Sequence, residues 1–228
     1  MRRYRLLVLP ALALSIAAVA AGCGGGGSAT TTHAAGVTAP ATPGQAKSSV
    51  YNDPSAFVLV EADVPDGYEV DRENTRAVTN ADASRGRDDA YKRTLESFGR
   101  IGGYASGWRP GASSGVSGPL QIESSASTFE SVGGATDAFA LGVKEVGTKF
   151  TKVELKKGIG DEARMWKTEV AGINGPLTLF TVAWRTGRVL STMAVASEQG
   201  RVAPDVATEY ANKAQARVEA AAARDLGK

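Results

Sequence analysis

The sequence predicts an α+β protein in which a single domain, with a mainly antiparallel sheet packed by about three helices, follows a signal peptide and a flexible linker. Three observations lead to this prediction. An apolar run ends at the only cysteine of the chain, a Gly/Ser/Thr/Pro-rich segment follows it, and a two-stranded hairpin precedes a long helix near the C-terminus. A hairpin followed by a packing helix favours α+β over an alternating parallel fold.

Residues 1–22 have the pattern of a secretory signal peptide. Met-Arg-Arg-Tyr-Arg gives a positive start, and Leu6–Ala21 contains no charge. A positive start followed by an apolar stretch and small residues is typical of such signals. The apolar run is shorter than the roughly 20 residues that a spanning helix needs, so an uncleaved membrane anchor is the less favoured alternative.

The end of the apolar run, Ala20-Ala21-Gly22-Cys23, resembles the lipobox of bacterial lipoproteins, although the family usually has leucine where this chain has Ala20. The resemblance implies cleavage before Cys23 and attachment of lipid to its thiol. A thioether-linked diacylglycerol with an N-terminal acyl chain would give the two signals that stable anchoring requires. We therefore expect lipidation at Cys23 and a protein held at the extracytoplasmic face of the cell membrane.

Residues 23–50 form the lipidated cysteine and a linker, which is composed mainly of Gly, Ser, Thr, Ala and Pro. Such a composition cannot bury enough apolar surface to offset the entropy cost of ordering. Its expected root-mean-square span is about 30 Å. The domain that follows, residues 51–228, is long enough for one sizeable core.

Charge and residue types exclude several classes of function. Without the three arginines of the signal, the chain carries 23 basic and 24 acidic residues, so it lacks the electrostatic signature of a nucleic-acid-binding protein. Residues 51–228 contain no His and no Cys, because His33 lies in the linker. This excludes Ser-His-Asp and Cys-His nucleophile sites, zinc sites with N or S ligands, and disulfides. We predict no catalytic residue, no cofactor and no metal.

The first half of the domain contains three predicted elements. Residues 83–98 have a helical stripe in Ala90, Tyr91, Leu95 and Phe98. Residues 120–123 alternate as a strand, and residues 135–147 form a second helix through an apolar stripe of Ala135, Phe139, Val143 and Val146.

The second half contains the clearest elements. Leu177–Trp184 and Val189–Val195 are apolar strands joined across Thr186-Gly187, which suits a tight hairpin turn. Asp205–Ala222 is a small-residue helix with one apolar face. We expect Trp184 to be buried beneath this helix.

Three passages, Pro65-Asp66-Gly67-Tyr68, Gly160-Asp161-Glu162-Ala163 with Trp166, and the hairpin that ends in a final helix, resemble actinobacterial extracytoplasmic sensor-type domains. That group includes the external domains of mycobacterial receptor serine/threonine kinases and related lipoproteins. The resemblance spans residues 55–222 and implies a binding or sensing role.

Two glycine-rich strings match catalytic or cofactor motifs without their context. Residues 111–115 match a nucleophile elbow, which needs a preceding strand and a histidine base, and we interpret them as a loop. Residues 158–163 match a dinucleotide fingerprint, but the segment that follows alternates like a strand. We interpret them as a turn that needs positive φ at glycine.

Side chains that could contact a ligand are few. Asp161 and Glu162 could pair with Asp137, Glu123 or Glu130 as two catalytic carboxylates, although surface acids at this density are ordinary. Trp108, between Gly107 and Arg109-Pro110, is the possible ligand contact, because an aromatic ring exposed at a loop can stack on a sugar. The alternative, packing in the core or against a loop, is the more common role of such a residue.

These observations favour a membrane-anchored extracytoplasmic protein with a non-enzymatic sensor or accessory domain that binds a small ligand or an envelope protein. One alternative is a carboxylate-dependent hydrolase of envelope polysaccharide, with two acids about 5 to 9.5 Å apart. The other is a carrier of apolar ligands, with an enclosed cavity of a few hundred Å³.

Overall fold

A seven-stranded antiparallel sheet with helices on both faces is the framework of the fold, which confirms the predicted α+β class. The computed structural model describes residues 49–112, 115, 117–147, 150–172 and 175–226, so the signal sequence, Cys23 and most of the linker lie outside the described residues. The strand order is β1-β2-β3-β7-β6-β5-β4. The strands are β1 (Tyr68–Val78), β2 (Arg100–Pro110), β3 (Gln121–Phe129), β4 (Thr151–Val153), β5 (Glu162–Gly172), β6 (Gly175–Thr186) and β7 (Val189–Glu198).

Four α-helices occur in the described part of the chain: α1 (Asn80–Ala83), α2 (Asp89–Ser97), α3 (Val132–Gly147) and α4 (Pro204–Leu226). Within the range 83–98, which was predicted as one helix, residues 89–97 form α2 and Ala83 ends α1. A loop with Gly86 at φ +79° separates them, and Asp88 caps α2 by accepting a hydrogen bond from the Tyr91 backbone N–H. Within the described ranges, no helix combines the length and the apolar character needed to cross a membrane.

The two faces of the sheet are covered by different helices. The α4 face carries the cross-strand row Trp108, Ile122, Val195 and Phe180, and α4 packs on it through small residues such as Ala211. The opposite side, the α3 face, carries Leu190 and Ala183, on which α3 packs with Phe139. Alternating strand residues thus supply two separate cores.

The hairpin of β6 and β7 behaves as predicted, with a small shift of its turn. Thr186 pairs with Val189, so the two-residue loop is Gly187-Arg188 rather than Thr186-Gly187. Gly187 has φ +55°, which suits the first central position of a II′ turn. Trp184 is fully buried on the α4 face, as expected, and its Nε1 donates to Gln215 Oε1 of α4 at 2.8 Å.

Strand β1 contains a bulge that folds over its neighbour. The pairing with β2 shifts between Asp71 and Arg76, and the hydroxyl of Thr75 accepts from the Gly107 backbone N–H at 3.0 Å. A Cβ on Gly107 would lie 2.8 Å from Asn74 Cβ, so only glycine lets the bulge approach this closely. The bulge interrupts the regular pairing of an edge strand.

The described chain begins beside the end of α4. The backbone N–H of Val50 donates to Asp225 Oδ1 at 3.1 Å, and the guanidinium of Arg188 lies 4.4 Å from the centroid of the Tyr51 ring. The end of the predicted linker, the C-terminal end of α4 and the β6–β7 turn therefore lie together at one end of the sheet.

Candidate functional site

The best candidate for a binding site is a cleft on the α3 face, between the sheet, α2 and α3. Its cavity volume is about 70 Å³. Two features of the local sequence position it: α2 ends at Ser97 just before β2 begins at Arg100, and α3 follows β3 directly. The cleft walls are largely apolar and include Tyr91, Leu95, Phe129, Phe139, Val143 and Leu190.

The floor of the cleft is polar. Ser125 and Ser127 alternate with buried residues along β3, and Thr192 of β7 is the cross-strand partner of Ser125. The hydroxyls of Ser125 and Thr192 are hydrogen-bonded to each other at 2.5 Å. Apolar walls with a few convergent polar groups are the usual composition of a small-molecule pocket.

A buried arginine lies at one side of this floor. Arg100 is 7% exposed and donates from Nε to Ser127 Oγ at 3.2 Å, from Nη1 to Asn80 Oδ1 at 2.7 Å, and from Nη2 to the Val78 carbonyl at 3.1 Å. Burial disfavours the charged form and lowers the pKa of Arg100 to about 10, against smaller opposing effects of Tyr91 and Asp82. The guanidinium remains charged at neutral pH.

An ion pair connects the two helices that form the cleft walls. Arg87, just before α2, donates from Nη1 to both carboxylate oxygens of Glu145 on α3, at 3.0 and 2.9 Å. The guanidinium of Arg87 also lies 3.7 Å from the centroid of the Tyr91 ring. Since the side chains of Arg87 and Glu145 are 5% and 17% exposed, removal of either one would leave a buried charge without this partner. The pair therefore fixes α2 relative to α3.

Two buried carboxylates lie further along the same face. Glu123 of β3 and Asp71 of β1 are both cross-strand neighbours of Gly107, and both are less than a tenth exposed. Burial, and secondarily the charge of Asp71, raise the pKa of Glu123 to about 7, while Arg76 acts in the opposite direction. Asp71 accepts from Asn74 Nδ2 at 2.8 Å. Glu123 is thus the group in this region whose charge can change near neutral pH.

The expectation that Trp108 lies exposed at a loop is wrong. Trp108 is part of β2 and is 4% exposed, and it packs in the α4-face core with Tyr68 and Tyr210. Its flanking residues, which suggested a loop, are explained differently: Gly107 accommodates the β1 bulge, and Pro110 ends the strand. A ligand contact at Trp108 stays a prediction, but it would require access to a buried ring.

The two acids that the sequence suggested as catalytic, Asp161 and Glu162, form ion pairs at a corner of the sheet, where the start of β5 meets the β6–β7 turn. Arg185 donates from Nη1 to Asp161 and from Nε to Glu162, each at 2.7 Å, and Asp161 also accepts from the Gly187 backbone N–H. Gly160 has φ +59° two residues before β5 begins, which confirms the interpretation of this segment as a turn that leads into a strand.

A broader concavity of about 620 Å³ lies against this corner, beneath the segment that joins β4 to β5. The core residues Ile159 and Met165 line it, and two of its three acids, Asp161 and Glu162, are already paired with Arg185. We therefore place the candidate site in the smaller cleft, where a buried cation and hydroxyl groups converge. Within the described ranges, no group of three or more His, Cys, Asp or Glu residues is placed to hold a metal ion.

Comparison with known proteins finds only low similarity. No family model matches the chain, and no curated protein matches it. A solved structure of the extracellular domain of PknH from Mycobacterium tuberculosis is similar at 10% identity and a TM-score of 0.47, with 70% of this chain and 93% of that chain covered. That structure is an extracellular domain of the kind to which the sequence resemblance points. At this identity and TM-score it carries no argument about function, which rests on the cleft.

The sequence reasoning missed the cleft and its central arginine. Arg100 directly precedes Ile101 and two glycines, and this pattern resembles a loop more than a strand. The one feature of the sequence that could have indicated the buried arginine is Gly103, where a Cβ would lie 2.5 Å from Arg100 Nη2. A glycine within a strand often marks the close approach of another group, but the sequence alone does not identify that group.

Proposed function

We propose that this chain is a non-enzymatic binding protein, anchored by lipid at Cys23 on the extracytoplasmic side of the membrane, and that its cleft binds a small ligand. The observation that carries the proposal is the combination of apolar walls with a polar floor between α2, α3 and the sheet. The signal-like start and the lipobox-like tetrapeptide support the location.

The architecture supports a binding role for the α3 face. The α4 face is filled by large side chains such as Trp184, Phe180 and Met193, all less than a twentieth exposed. On the α3 face, by contrast, Ser125 and Thr192 occupy the floor and remain partly accessible, since both are intermediate in exposure. A small group can therefore reach polar atoms on this face without displacing the main core.

A carrier of apolar ligands is less well supported, because the cleft is smaller than the few hundred Å³ that such a carrier needs. The concavity of about 620 Å³ is large enough, but charged side chains such as Lys152, Glu154 and Arg164 line it. The hydrolase alternative is less well supported, since Asp161 and Glu162 are ion-paired with Arg185 and the other pair of acids, Asp71 and Glu123, is buried in the sheet.

The proposal is tested by filling the cleft. Val143 lines it from α3, whereas Ala140 lies on the exposed side of the same helix. The full-length protein and the variants Val143→Trp and Ala140→Trp are incubated with a small-molecule extract of the envelope, and retained compounds are identified by mass spectrometry. We expect the wild-type protein and Ala140→Trp to retain the same compound and Val143→Trp to lose it. Equal retention by all three proteins, or retention by none, would refute the cleft as the binding site.

A further inference from the structure

Arg100 carries a buried positive charge that has only neutral hydrogen-bond partners. Its three acceptors are a hydroxyl, a side-chain amide and a backbone carbonyl. In the described part of the chain, no carboxylate lies within ion-pairing distance of it. Asp82 is the acidic residue whose charge affects the pKa of Arg100, but its carboxylate is hydrogen-bonded to Thr79 and Arg85. Arginine is rarely fully buried unless it is paired, because desolvation of a charge is costly.

The guanidinium is held in a fixed position that leaves part of it available. It lies over Gly103, whose missing side chain provides the space, and it connects β1 to β3 through Val78 and Ser127. Three of its five N–H groups donate to the described neighbours, and Arg100 lines the cleft. One N–H on each of Nη1 and Nη2 therefore remains for a further acceptor, and a carboxylate is the acceptor that a guanidinium suits best.

We propose that the ligand of the cleft is a small organic monocarboxylate, whose carboxylate binds Arg100 and whose short aliphatic chain lies against the apolar walls. This inference rests on the proposed function and names the ligand class. A single uncompensated cation matches a single negative charge better than a phosphate dianion. Leu95, Phe139 and Leu190 provide apolar contact close to the polar floor. The volume of about 70 Å³ limits the ligand to a few heavy atoms inside the cleft, with any longer chain reaching outward.

The test uses three probes of equal chain length and different head groups: hexanoate, hexylammonium and 1-hexanol. Each is titrated into ¹⁵N-labelled full-length protein in lipid nanodiscs, and the arginine Nε–H signals are followed by NMR. We expect hexanoate to shift the Arg100 signal saturably and to bind at least 10-fold more tightly than 1-hexanol, while hexylammonium does not shift it. This difference corresponds to one charge-assisted hydrogen bond or more.

Two variants and a control locate the effect. Arg100→Met should weaken hexanoate binding by about 10-fold to 100-fold, whereas Arg93→Met, which removes an exposed charge from α2, should not change it. Because Arg100 also connects strands, Val143→Trp provides an independent test that keeps the guanidinium and blocks the cleft. We expect it to abolish the hexanoate-induced shift while the spectrum remains that of a folded protein.

The outcomes separate this inference from the proposed function. If hexylammonium or 1-hexanol binds in the cleft as tightly as hexanoate, the ligand class is wrong although the cleft still binds. If Arg100→Met and Val143→Trp both bind hexanoate as tightly as the wild-type protein does, the hexanoate site lies elsewhere and the inference is overturned. If an envelope compound is retained by the wild-type protein but hexanoate does not shift Arg100, the binding role stands and the carboxylate assignment fails.

Discussion

Trp108 and Trp184 lie on the same face of the sheet and are both buried, but their indole N–H groups differ. Trp184 donates to Gln215 at 2.8 Å, whereas Trp108 Nε1 has no partner among the described residues. Truncation of either to alanine removes a large buried ring and should cost about 3 to 5 kcal/mol. The cost at Trp108 is as large as at Trp184 because its ring also belongs to the core.

Phenylalanine substitutions separate the two tryptophans. Both remove the same volume, but Trp184→Phe also removes a buried hydrogen bond and Trp108→Phe removes an unpartnered donor. We expect Trp184→Phe to lower the free energy of unfolding by about 1 kcal/mol more than Trp108→Phe. Urea unfolding of both variants measures this difference. Equal losses would mean that the Trp108 indole has a partner as good as Gln215.

The raised pKa of Glu123 leads to a prediction of how stability depends on pH. Its pKa is raised from 4.5 to about 7 in the folded protein, mainly by burial. Between these values the folded state holds the proton and the unfolded state releases it, so the contribution of Glu123 to stability is largest below about pH 4.5 and falls until about pH 7. The loss due to this group is about 3 kcal/mol.

The variant Glu123→Gln has nearly the same shape and cannot ionise. It should show a flatter profile between pH 5 and 7 and should be more stable than the wild-type protein at pH 8, as measured by the thermal midpoint. Glu73→Gln, at an exposed position on the same bulge, is the control and should retain the wild-type slope. An unchanged slope in Glu123→Gln would show that the carboxyl of Glu123 titrates at an ordinary pH.

At the scale of the elements, α3 depends on one glycine for its position. A Cβ on Gly134 would lie 1.8 Å from the carbonyl oxygen of Phe98, at the end of α2, whereas Gly133 faces solvent with only Ser131 Oγ at 3.8 Å. Gly134→Ala should therefore displace α3 from α2 and cost about 1 to 3 kcal/mol. Gly133→Ala should be neutral or stabilising by up to about 1 kcal/mol, through helix propensity. The two variants differ by one position and are compared by chemical denaturation; similar effects of both would contradict the close approach of α2 and α3.

The elements that the sequence predicted well are those whose periodicity is undisturbed. The hairpin of β6 and β7 and the helix α4 bury regular apolar patterns, so their positions followed from the residues alone. Strands β1 and β2 could not be recognised in this way. Strand β1 is rich in charged residues and carries a bulge. Strand β2 contains Gly103 and Gly107, where a side chain would collide with Arg100 and Asn74. The cleft depends on these long-range contacts between α2, α3, β2, β3 and β7, which no local pattern encodes.

At the scale of the molecule, Ser49 and Val50 show at which end of the sheet the linker joins the domain. Ser49 and Val50 are bonded to Asp225, beside the β6–β7 turn and the cation–π contact of Arg188 with Tyr51. The Arg100 side of the cleft lies at this same end of the sheet, because Arg100 is the first residue of β2 and is paired with Phe129 at the end of β3. We therefore expect the end of the domain that bears Arg100 to be nearest the membrane.

Anchoring through Cys23 is the prediction on which that arrangement depends. Cys23→Ser removes the thiol that would carry the lipid, so we expect no incorporation of labelled fatty acid and no normal cleavage before residue 23. The core is built from residues after 49, none of which is cysteine, so the circular dichroism spectrum and thermal midpoint of the domain should not change. A second substitution, Ser28→Ala in the linker, serves as the control and should leave labelling and processing intact. If the Cys23→Ser protein still takes up labelled fatty acid, the lipid is attached elsewhere and the predicted orientation of the cleft towards the membrane loses its basis.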